Sequence, residues 1–309
     1  MADLSVLRSI PLFRELVSKG TRAAVILEAL RAQGVNDYSI DSIKRARSQM
    51  SREDGASPIR TSLPPPDPFE PPILRDPSRV VFVPDVHVPE HDADAVAAVL
   101  EFIRTFQPDR IYFLGDVIDN PQLSRFRSDP QRMLQLQDDL DATFDLLTLF
   151  RVRSPDAEIV WIEGNHEERL RKWLWDNPVM AQMRGLQPEV LFRCEELGIR
   201  YVRSNQDEEM CGWTITHGTL VRKWSGWSAK AEHEKHGTSG VSAHTHRAGV
   251  FSHSRANGSW TWIEAGCVCS LKPGYARHPD WQHAFAYATI DDGLVHARLA
   301  HILDGVALA

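Results

Sequence analysis

Cysteine is scarce in this 309-residue chain, which contains four cysteines and no CxxC pair. A disulfide framework is therefore not indicated, and free thiols in a reducing cytoplasm are expected. Two of the four, Cys267 and Cys269, alternate on a predicted strand. We expect both to be small buried side chains rather than metal ligands or redox groups.

The sequence also lacks an apolar run of membrane-spanning length. Residues 1–16 lack the charged start, apolar run and cleavage site of a signal peptide. We therefore expect a cytoplasmic protein with no membrane partner. The chain is 42% apolar and 25% charged, as is typical of globular proteins, and its length suits one large and one small domain.

Proline and charge divide the chain into three parts. Eight prolines lie between Pro58 and Pro77, and such a run favours an extended spacer. Residues 1–60 hold ten basic and seven acidic side chains, against 25 and 35 in the remainder. We predict a helical domain over 1–55, a proline-rich linker over 56–78 and a large domain over 79–309.

The first 55 residues predict helices over 3–19, over 21–33 and from 39 to about 50. Within the first, Pro11 either breaks the helix early or begins a second one. The last carries Lys44 and Arg45 on its exposed face. A helix, a short turn containing glycine and a basic helix resemble a helix-turn-helix DNA-binding unit. A solvated basic face is the alternative interpretation.

The large domain alternates predicted strands and helices. Strands over 80–83, 110–114 and 158–162 are separated by amphipathic helices, which implies parallel pairing. The second half is richer in strands and contains two predicted hairpins, around Asn257-Gly258 and around 291–293. We therefore expect an α/β fold with two packed sheets flanked by helices.

Metal-ligand side chains follow five of the predicted strands. Since ligand sites lie beyond the carboxyl ends of strands in α/β sheets, we expect these side chains to converge. Mixed carboxylate and imidazole donors suit manganese, iron or zinc and argue against a calcium cage. The residues are Asp85, His87, Asp116, Asp119, Asn165, His166, His217, His244 and His246.

The five blocks read D-x-H, G-D-x-x-D, G-N-H-E, H-G and H-x-H, in this order, between Val80 and Ile302. This order resembles the calcineurin-like metallophosphoesterase family. The resemblance implies a four-layer α/β/β/α sandwich with two divalent metal ions, manganese first, with iron, zinc or nickel as alternatives. The chain then is a hydrolase that cleaves phosphate esters by attack of a metal-bound hydroxide.

The resemblance also implies a role for each block. One metal takes Asp85, His87, Asp116 and His246, and the other takes Asp116, Asn165, His217 and His244. The carboxylate of Asp116 bridges the two. His166 lies near the leaving group of the substrate, and Asp119 orients it.

The sequence departs from the family pattern at two places, and the first argues against the branch of protein Ser/Thr phosphatases. Asn120-Pro121 follows the second block, where protein Ser/Thr phosphatases carry Arg-Gly. Ala243 replaces the usual glycine before the last H-x-H, a change that leaves the ligands intact. The wider pattern, with Ser124-Arg125-Phe126 and an N-terminal helical segment, resembles phosphoesterases encoded by bacteriophages.

Four residues are candidates for substrate binding. Arg125 and Arg127 follow the second block, and arginine suits bidentate phosphate contact. Trp224 and Trp227 lie among basic residues after His217. They could stack on bases, or they could form one face of a short helix packed on the core.

Three functions remain open at this point. The first is a phosphodiesterase or nuclease acting on DNA or RNA. The second is a phosphomonoesterase acting on a small nucleotide or a phosphoprotein. The third is a DNA-binding protein whose phosphoesterase body is inactive, although the complete set of ligands argues against this function.

Overall fold

The computed structural model of the chain describes residues 4–18, 23–53, 78–125, 135–206, 208–272 and 279–309. The chain divides between residues 68 and 69 into two compact units. Apart from Ser78, the linker predicted over 56–78 lies outside the described residues, and the predicted domain boundaries stay a prediction. Within the described ranges, no helix is long and apolar enough to cross a membrane.

The described part of the N-terminal unit contains four helices around a small apolar core. Pro11 begins a helix of its own, because proline is accepted in the first turn but not in a helix interior. Of the two alternatives for Pro11 within 3–19, the structure has the second, in which the proline begins a new helix. The helices are α1 (Leu4–Ser9), α2 (Pro11–Ser18), α3 (Ala23–Ala32) and α4 (Ile40–Glu53). The buried core contains Leu7, Phe13, Ile26, Leu30 and Ile43.

The connection between α3 and α4 is longer than the sequence predicted. It spans the seven residues 33–39, whereas the turn of a helix-turn-helix unit has about 3–4 residues. Ser39 ends this connection, and its Oγ accepts a hydrogen bond of 3.2 Å from the backbone N–H of Ser42. Lys44 and Arg45 are exposed, as expected. DNA binding by this unit stays a prediction.

The large unit contains two β-sheets. In chain order, its helices and strands are β1 (Arg79–Val83), α5 (Ala93–Phe106), β2 (Arg110–Phe113), α6 (Leu136–Arg153), β3 (Glu158–Ile162), α7 (Glu168–Asp176), α8 (Pro178–Ala181), α9 (Pro188–Leu191), β4 (Ile199–Val202), β5 (Glu208–Met210), β6 (Trp213–Ile215), α10 (Trp227–His236), β7 (Ser239–Ser242), β8 (Ala248–Arg255), β9 (Gly258–Ala265), β10 (Ala284–Asp291), β11 (Leu294–Leu303) and β12 (Val306–Leu308).

Seven strands form the first sheet, in the order β12-β11-β10-β1-β2-β3-β4. The strands β1 to β4 are parallel, whereas β10 pairs antiparallel with β1. The second sheet has the order β5-β6-β7-β9-β8, with β6, β7 and β9 parallel. Both predicted hairpins are present, as β8–β9 and β10–β11.

The two sheets lie face to face between helices. Val81 and Val83 of β1 pack into a core that includes buried residues of α5 and α6. Val80 and Phe82 point to the opposite face of the strand and pack into a core shared with the second sheet. Helix α10 packs on β7, β8 and β9, where the ring of His236 stacks on Trp262 at 5.4 Å. These layers confirm the predicted α/β/β/α sandwich.

One expectation for this unit was wrong. Cys267 and Cys269 follow the end of β9 and form only isolated bridges, with His283 and His91 respectively. They are not on a regular strand, because Gly266 at φ +82° turns the chain out of the sheet. Both side chains are buried, as expected.

Candidate metal centre

All five ligand blocks meet at one edge of the two sheets. Strands β1, β2 and β3 are parallel, so the loops that follow them emerge together. These loops carry the first three blocks, and the loops after β6 and β7 carry the last two. Hydrogen bonds join the loops, as when the backbone N–H of His244 donates to Asp85 Oδ2 at 2.8 Å.

The first cluster contains Asp85, His87 and His246, and all three are buried. The Nε2 atoms of His87 and His246 lie 3.1 Å apart. Asp85 Oδ1 is 3.5 Å from Nε2 of His246 and 3.8 Å from that of His87. Among the residues that the structure describes, none donates a hydrogen bond to this carboxylate oxygen, although it is fully buried.

The second cluster contains Asp116, Asn165, His217 and His244. Its centre is Nε2 of His217, which lies 3.0 Å from Asn165 Oδ1 and 3.1 Å from His244 Nδ1. The same nitrogen is 3.3 Å from Asp116 Oδ2. Asp116 Oδ2 is also 3.8 Å from Nε2 of His87 in the first cluster, so one oxygen adjoins both groups.

For His217 and His87, a hydrogen bond to the far side of the ring fixes which nitrogen faces the centre. The Nδ1 atom of His217 donates to the carbonyl oxygen of Leu114 at 2.8 Å, which leaves Nε2 as a lone-pair donor toward the cluster. His87 Nδ1 lies 3.4 Å from Asp119 Oδ1, with the same consequence. Metal-binding histidines commonly have such a partner on the other nitrogen.

The donor atoms fit divalent metal ions. In each cluster, ring nitrogens face carboxylate or amide oxygens at 3.0–3.8 Å, so that in the neutral rings these atoms direct lone pairs toward one another. A buried carboxylate oxygen without a partner, such as Asp85 Oδ1, is costly unless a cation compensates it. The clusters therefore hold the residues that would bind two ions, and imidazole with carboxylate suits manganese, iron or zinc.

The electrostatics of the metal-free protein favour a cation at the same place. Burial opposes the charged form of His217, but the carboxylate of Asp116 outweighs burial and raises the pKa of His217 to about 10. Asp85 acts in the same way on His246 and raises its pKa to about 10. Despite burial, His217 holds the pKa of Asp116 well below its usual value. In the metal-free protein, protons on His217 and His246 thus occupy the places that a metal ion would take, and the ion would have to displace them.

The backbone at the ligands is strained. His87, Asp116, His244 and His246 adopt positive φ angles of 53°, 50°, 73° and 59°, which cost about 1–3 kcal/mol for residues with a side chain. Such conformations persist only where the surrounding structure enforces them. In this protein they turn the side chains of short loops toward one point.

Two glycines allow the loops to approach each other. A Cβ on Gly164 would lie 2.3 Å from Asp116 Oδ1, and one on Gly115 would lie 2.7 Å from the Gly164 backbone. The space beside each glycine is filled by the facing loop, so a side chain at either position would separate the second and third blocks.

Glu167 is an important residue to which the sequence analysis assigned no role. Its carboxylate is fully buried and accepts four backbone hydrogen bonds. Oε2 accepts from Asp116 and Gly164 at 2.9 Å each, and Oε1 accepts from Val117 at 2.7 Å and Ile118 at 3.3 Å. One side chain therefore ties the two loops together. Its place in the G-N-H-E block was the only signal in the sequence.

His166 lies beside the second block rather than within either cluster. Its Nδ1 is 2.8 Å from Asp119 Oδ1, and its Nε2 is 2.9 Å from an amino group of Arg169. Burial lowers the pKa of His166, but Asp116 and Asp119 together outweigh burial and the net shift is upward. The Arg169 contact favours the neutral ring, so a proton on Nε2 requires Arg169 to turn away. The structure thus brings His166 and Asp119 together, and their catalytic roles stay a prediction.

Of the four candidate substrate-binding residues, three lie in the described part of the chain, and all three are exposed. Arg127 lies outside the described residues, and Arg125 lies on the surface, with its side chain 79% exposed. Trp224 and Trp227 are 52% and 55% exposed, which excludes the alternative that both rings pack in the core. Trp224 precedes α10, and Trp227 is its first residue. Stacking on a substrate stays a prediction for both.

Two buried clusters of metal-ligand side chains, together with a histidine beside them, define a metal-dependent phosphoesterase site. The chain belongs to the calcineurin-like phosphoesterase family, whose model matches residues 78–248. This match confirms the resemblance found in the sequence, and it identifies the chain as a hydrolase of phosphate esters that uses divalent metal ions.

Similar proteins include two from phages. The chain is 27% identical over 244 residues to the Gene 54 protein of Mycobacterium phage D29, covering 74% of this chain and 94% of that protein. It is also 27% identical over 246 residues to the Gene 54 protein of Mycobacterium phage L5, with the same coverage. Among solved structures, vacuolar protein sorting 29 from Cryptosporidium parvum matches at 13% identity and a TM-score of 0.43, over 76% of this chain and 96% of that chain.

Proposed function

We propose that the chain is a two-metal phosphodiesterase that hydrolyses nucleic acid. The observation that carries this proposal is the position of Asp116 Oδ2, which lies 3.3 Å from Nε2 of His217 and 3.8 Å from that of His87. One ion would be held by Asp85, His87, Asp116 and His246, and the other by Asp116, Asn165, His217 and His244. Manganese is the proposed metal, with iron, zinc and nickel as alternatives.

The bound ions would neutralise charge on the phosphate. They would also lower the pKa of a water molecule, so that at neutral pH it loses a proton and can attack the phosphorus as hydroxide. The protein's own part concerns the leaving group. Asp119 holds Nδ1 of His166, which directs Nε2 of His166 toward Arg169 and the open side of the site. With Arg169 turned away, His166 can hold a proton at Nε2 for the departing oxygen.

A diester is favoured over a monoester by the space beyond His166. A cavity of about 530 Å³ begins at Asn165 and Arg169, which is within the usual range of about 300–1,000 Å³ for ligand sites. A phosphomonoesterase with a small leaving group would not need this volume. The cavity is lined by Arg125, Arg169 and Lys172, whose charges suit further phosphates of a polynucleotide.

The test compares three substrates with the manganese-loaded full-length protein: bis-p-nitrophenyl phosphate, p-nitrophenyl phosphate and a single-stranded oligonucleotide. We expect hydrolysis of the first and third, with the monoester cleaved more slowly. The variants Asp116→Asn and His217→Ala should lose at least 100-fold in turnover and most of their bound metal. Cleavage of the monoester alone would support the phosphomonoesterase, and no hydrolysis by metal-loaded protein would contradict both activities.

Asp156→Asn is the matched control. Asp156 precedes β3, so it lies at the edge of the sheet opposite to the metal centre, and it is exposed. We expect the control variant to keep the metal content and the turnover of the wild type. Unchanged metal content in Asp116→Asn and His217→Ala would contradict the assignment of ligands.

A further inference from the structure

We infer that the cavity beside α7 binds the nucleotide on the leaving-group side of the scissile phosphate, in an unpaired strand, by stacking its base on Trp173 or Trp175. This inference rests on the proposed phosphodiesterase activity and adds to it a class of substrate and a side of the cleaved bond.

The cavity begins at the candidate metal centre. Its lining includes Asn165, a proposed metal ligand, and Arg169, which contacts His166 Nε2 at 2.9 Å. His166 marks the side from which the leaving group departs. A nucleotide still attached through the departing oxygen would therefore extend past Arg169 into this cavity.

Two tryptophan rings line the same cavity and are accessible. Trp173 is 39% exposed and Trp175 is 61% exposed, whereas Trp161 and Trp262 in the cores are fully buried. Exposed indole rings beside a cationic groove are the usual platform for unpaired bases, since every base has a face that can stack. Helix α7 holds the rings in place through its buried residues Leu170 and Leu174.

The cations of the cavity are available to a phosphate backbone. Lys172 pairs with Glu168 at 2.5 Å, and Arg125 pairs with Asp176 at 3.5 Å. Both basic side chains are exposed, at 44% and 79%, and exposed ion pairs contribute little to stability. A phosphate can therefore replace the carboxylates at small cost. Aromatic rings interleaved with such cations fit a polynucleotide better than a phosphoprotein.

The experiment uses three dinucleotides with the manganese-loaded full-length protein. One dinucleotide lacks the base of its 5′ nucleoside, one lacks the base of its 3′ nucleoside, and the third carries both bases. The nucleoside released without phosphate identifies the leaving side. In the wild type, loss of the leaving-side base should lower kcat/KM on the order of 5- to 100-fold, the range for one stacked base.

The double variant Trp173→Ala/Trp175→Ala should cleave the complete and the leaving-side abasic dinucleotide at similar kcat/KM. The control Leu294→Ala removes an equally exposed apolar side chain, 66% accessible, at the opposite edge of the first sheet. It should keep the difference between the two substrates. The inference would be overturned if removal of the leaving-side base lowered kcat/KM equally in the wild type and the double variant. It would also be overturned if removal of that base left kcat/KM of the wild type unchanged.

A binding measurement separates this inference from the activity. Fluorescence anisotropy of a labelled oligothymidylate, with metal-free protein in EDTA, should show at least a fivefold higher Kd for the double variant than for wild type and Leu294→Ala. Equal Kd values would overturn the stacking site. Turnover of bis-p-nitrophenyl phosphate is measured in parallel with manganese. No turnover would refute the proposed phosphodiesterase activity. The anisotropy result would still decide whether the cavity binds bases.

Discussion

The substitution Glu167→Gln should destabilise the metal-loaded protein strongly although it changes little in shape. Both carboxylate oxygens of Glu167 accept two backbone N–H groups each, from the loops after β2 and β3. A glutamine can offer an oxygen to one pair only, and its amino group then faces the N–H donors of the other pair. Two hydrogen bonds to a charged group are lost, at about 1.5–3 kcal/mol each.

The expected loss is therefore about 3–6 kcal/mol, a large part of the ~5–15 kcal/mol by which a typical domain is stable. For a domain of this size, that corresponds to a fall in Tm of about 6–24 °C. The assay is thermal unfolding with manganese, followed by circular dichroism. A fall in stability below about 1 kcal/mol would refute the argument that the four hydrogen bonds hold the loops.

Glu232 supplies a matched control for this substitution. It is also a buried glutamate that binds loop backbone, but a single oxygen, Oε1, accepts from both Thr219 at 2.7 Å and Leu220 at 2.8 Å. Oε2 accepts no hydrogen bond from the described residues, and its basic neighbours are Lys235 at 3.7 Å and His236 at 3.5 Å. The oxygen of glutamine can replace Oε1 toward both donors, so Glu232→Gln should cost about 1 kcal/mol.

In the metal-free protein, the cost of Glu167→Gln should depend on pH, and the direction of that dependence is a further test. Burial and the neighbouring Asp116 raise the pKa of Glu167 from 4.5 to about 7. Since the pKa is higher in the folded protein, the protonated group contributes stability below pH 4.5, and this contribution is lost as the pH rises through 7. The stability cost of Glu167→Gln in EDTA should therefore shrink from pH 5 to pH 8 and remain smaller than the cost with manganese.

Further predictions concern metal uptake, packing and thiols. The pKa of His217 and that of His246 are raised to about 10, so protonation of these rings stabilises the metal-free fold below pH 6.5, and this contribution is lost as the pH rises through about 10. Both rings keep their protons from pH 8 to pH 6, and a metal ion must displace them. Calorimetry should therefore show the affinity for manganese falling as the pH is lowered from 8 to 6, with the proton release from these two rings nearly unchanged. Gly164→Ala should abolish turnover, because its Cβ would lie 2.3 Å from a carboxylate oxygen, whereas Gly185→Ala meets nothing within 4 Å and should keep wild-type kcat/KM. Of the four cysteines only Cys211 is exposed, so a thiol reagent should modify one group quickly in native protein and four after denaturation; fast modification of two or more would contradict the burial of the others.

Much of the fold could be predicted because it depends on local patterns. Apolar runs such as 80–83 and 158–162 predicted buried parallel strands, and the structure has β1 and β3 at these places. The turn signal at Asn257-Gly258 predicted the β8–β9 hairpin. Strand ends rich in Asp and His indicated where side chains would converge, since parallel strands deliver their following loops to one edge.

Other features depended on distant contacts that no local pattern contains. The four backbone donors to Glu167 come from two loops, and their directions follow from how those loops cross. The exposure of Trp175 and the burial of Trp161 cannot be distinguished by residue type, because the surroundings in the folded chain decide which ring is covered. Periodicity and residue order thus specified the elements and the candidate ligands. The distances between ligands, the tie formed by Glu167 and the cavity beside α7 arose from packing between residues far apart in the chain.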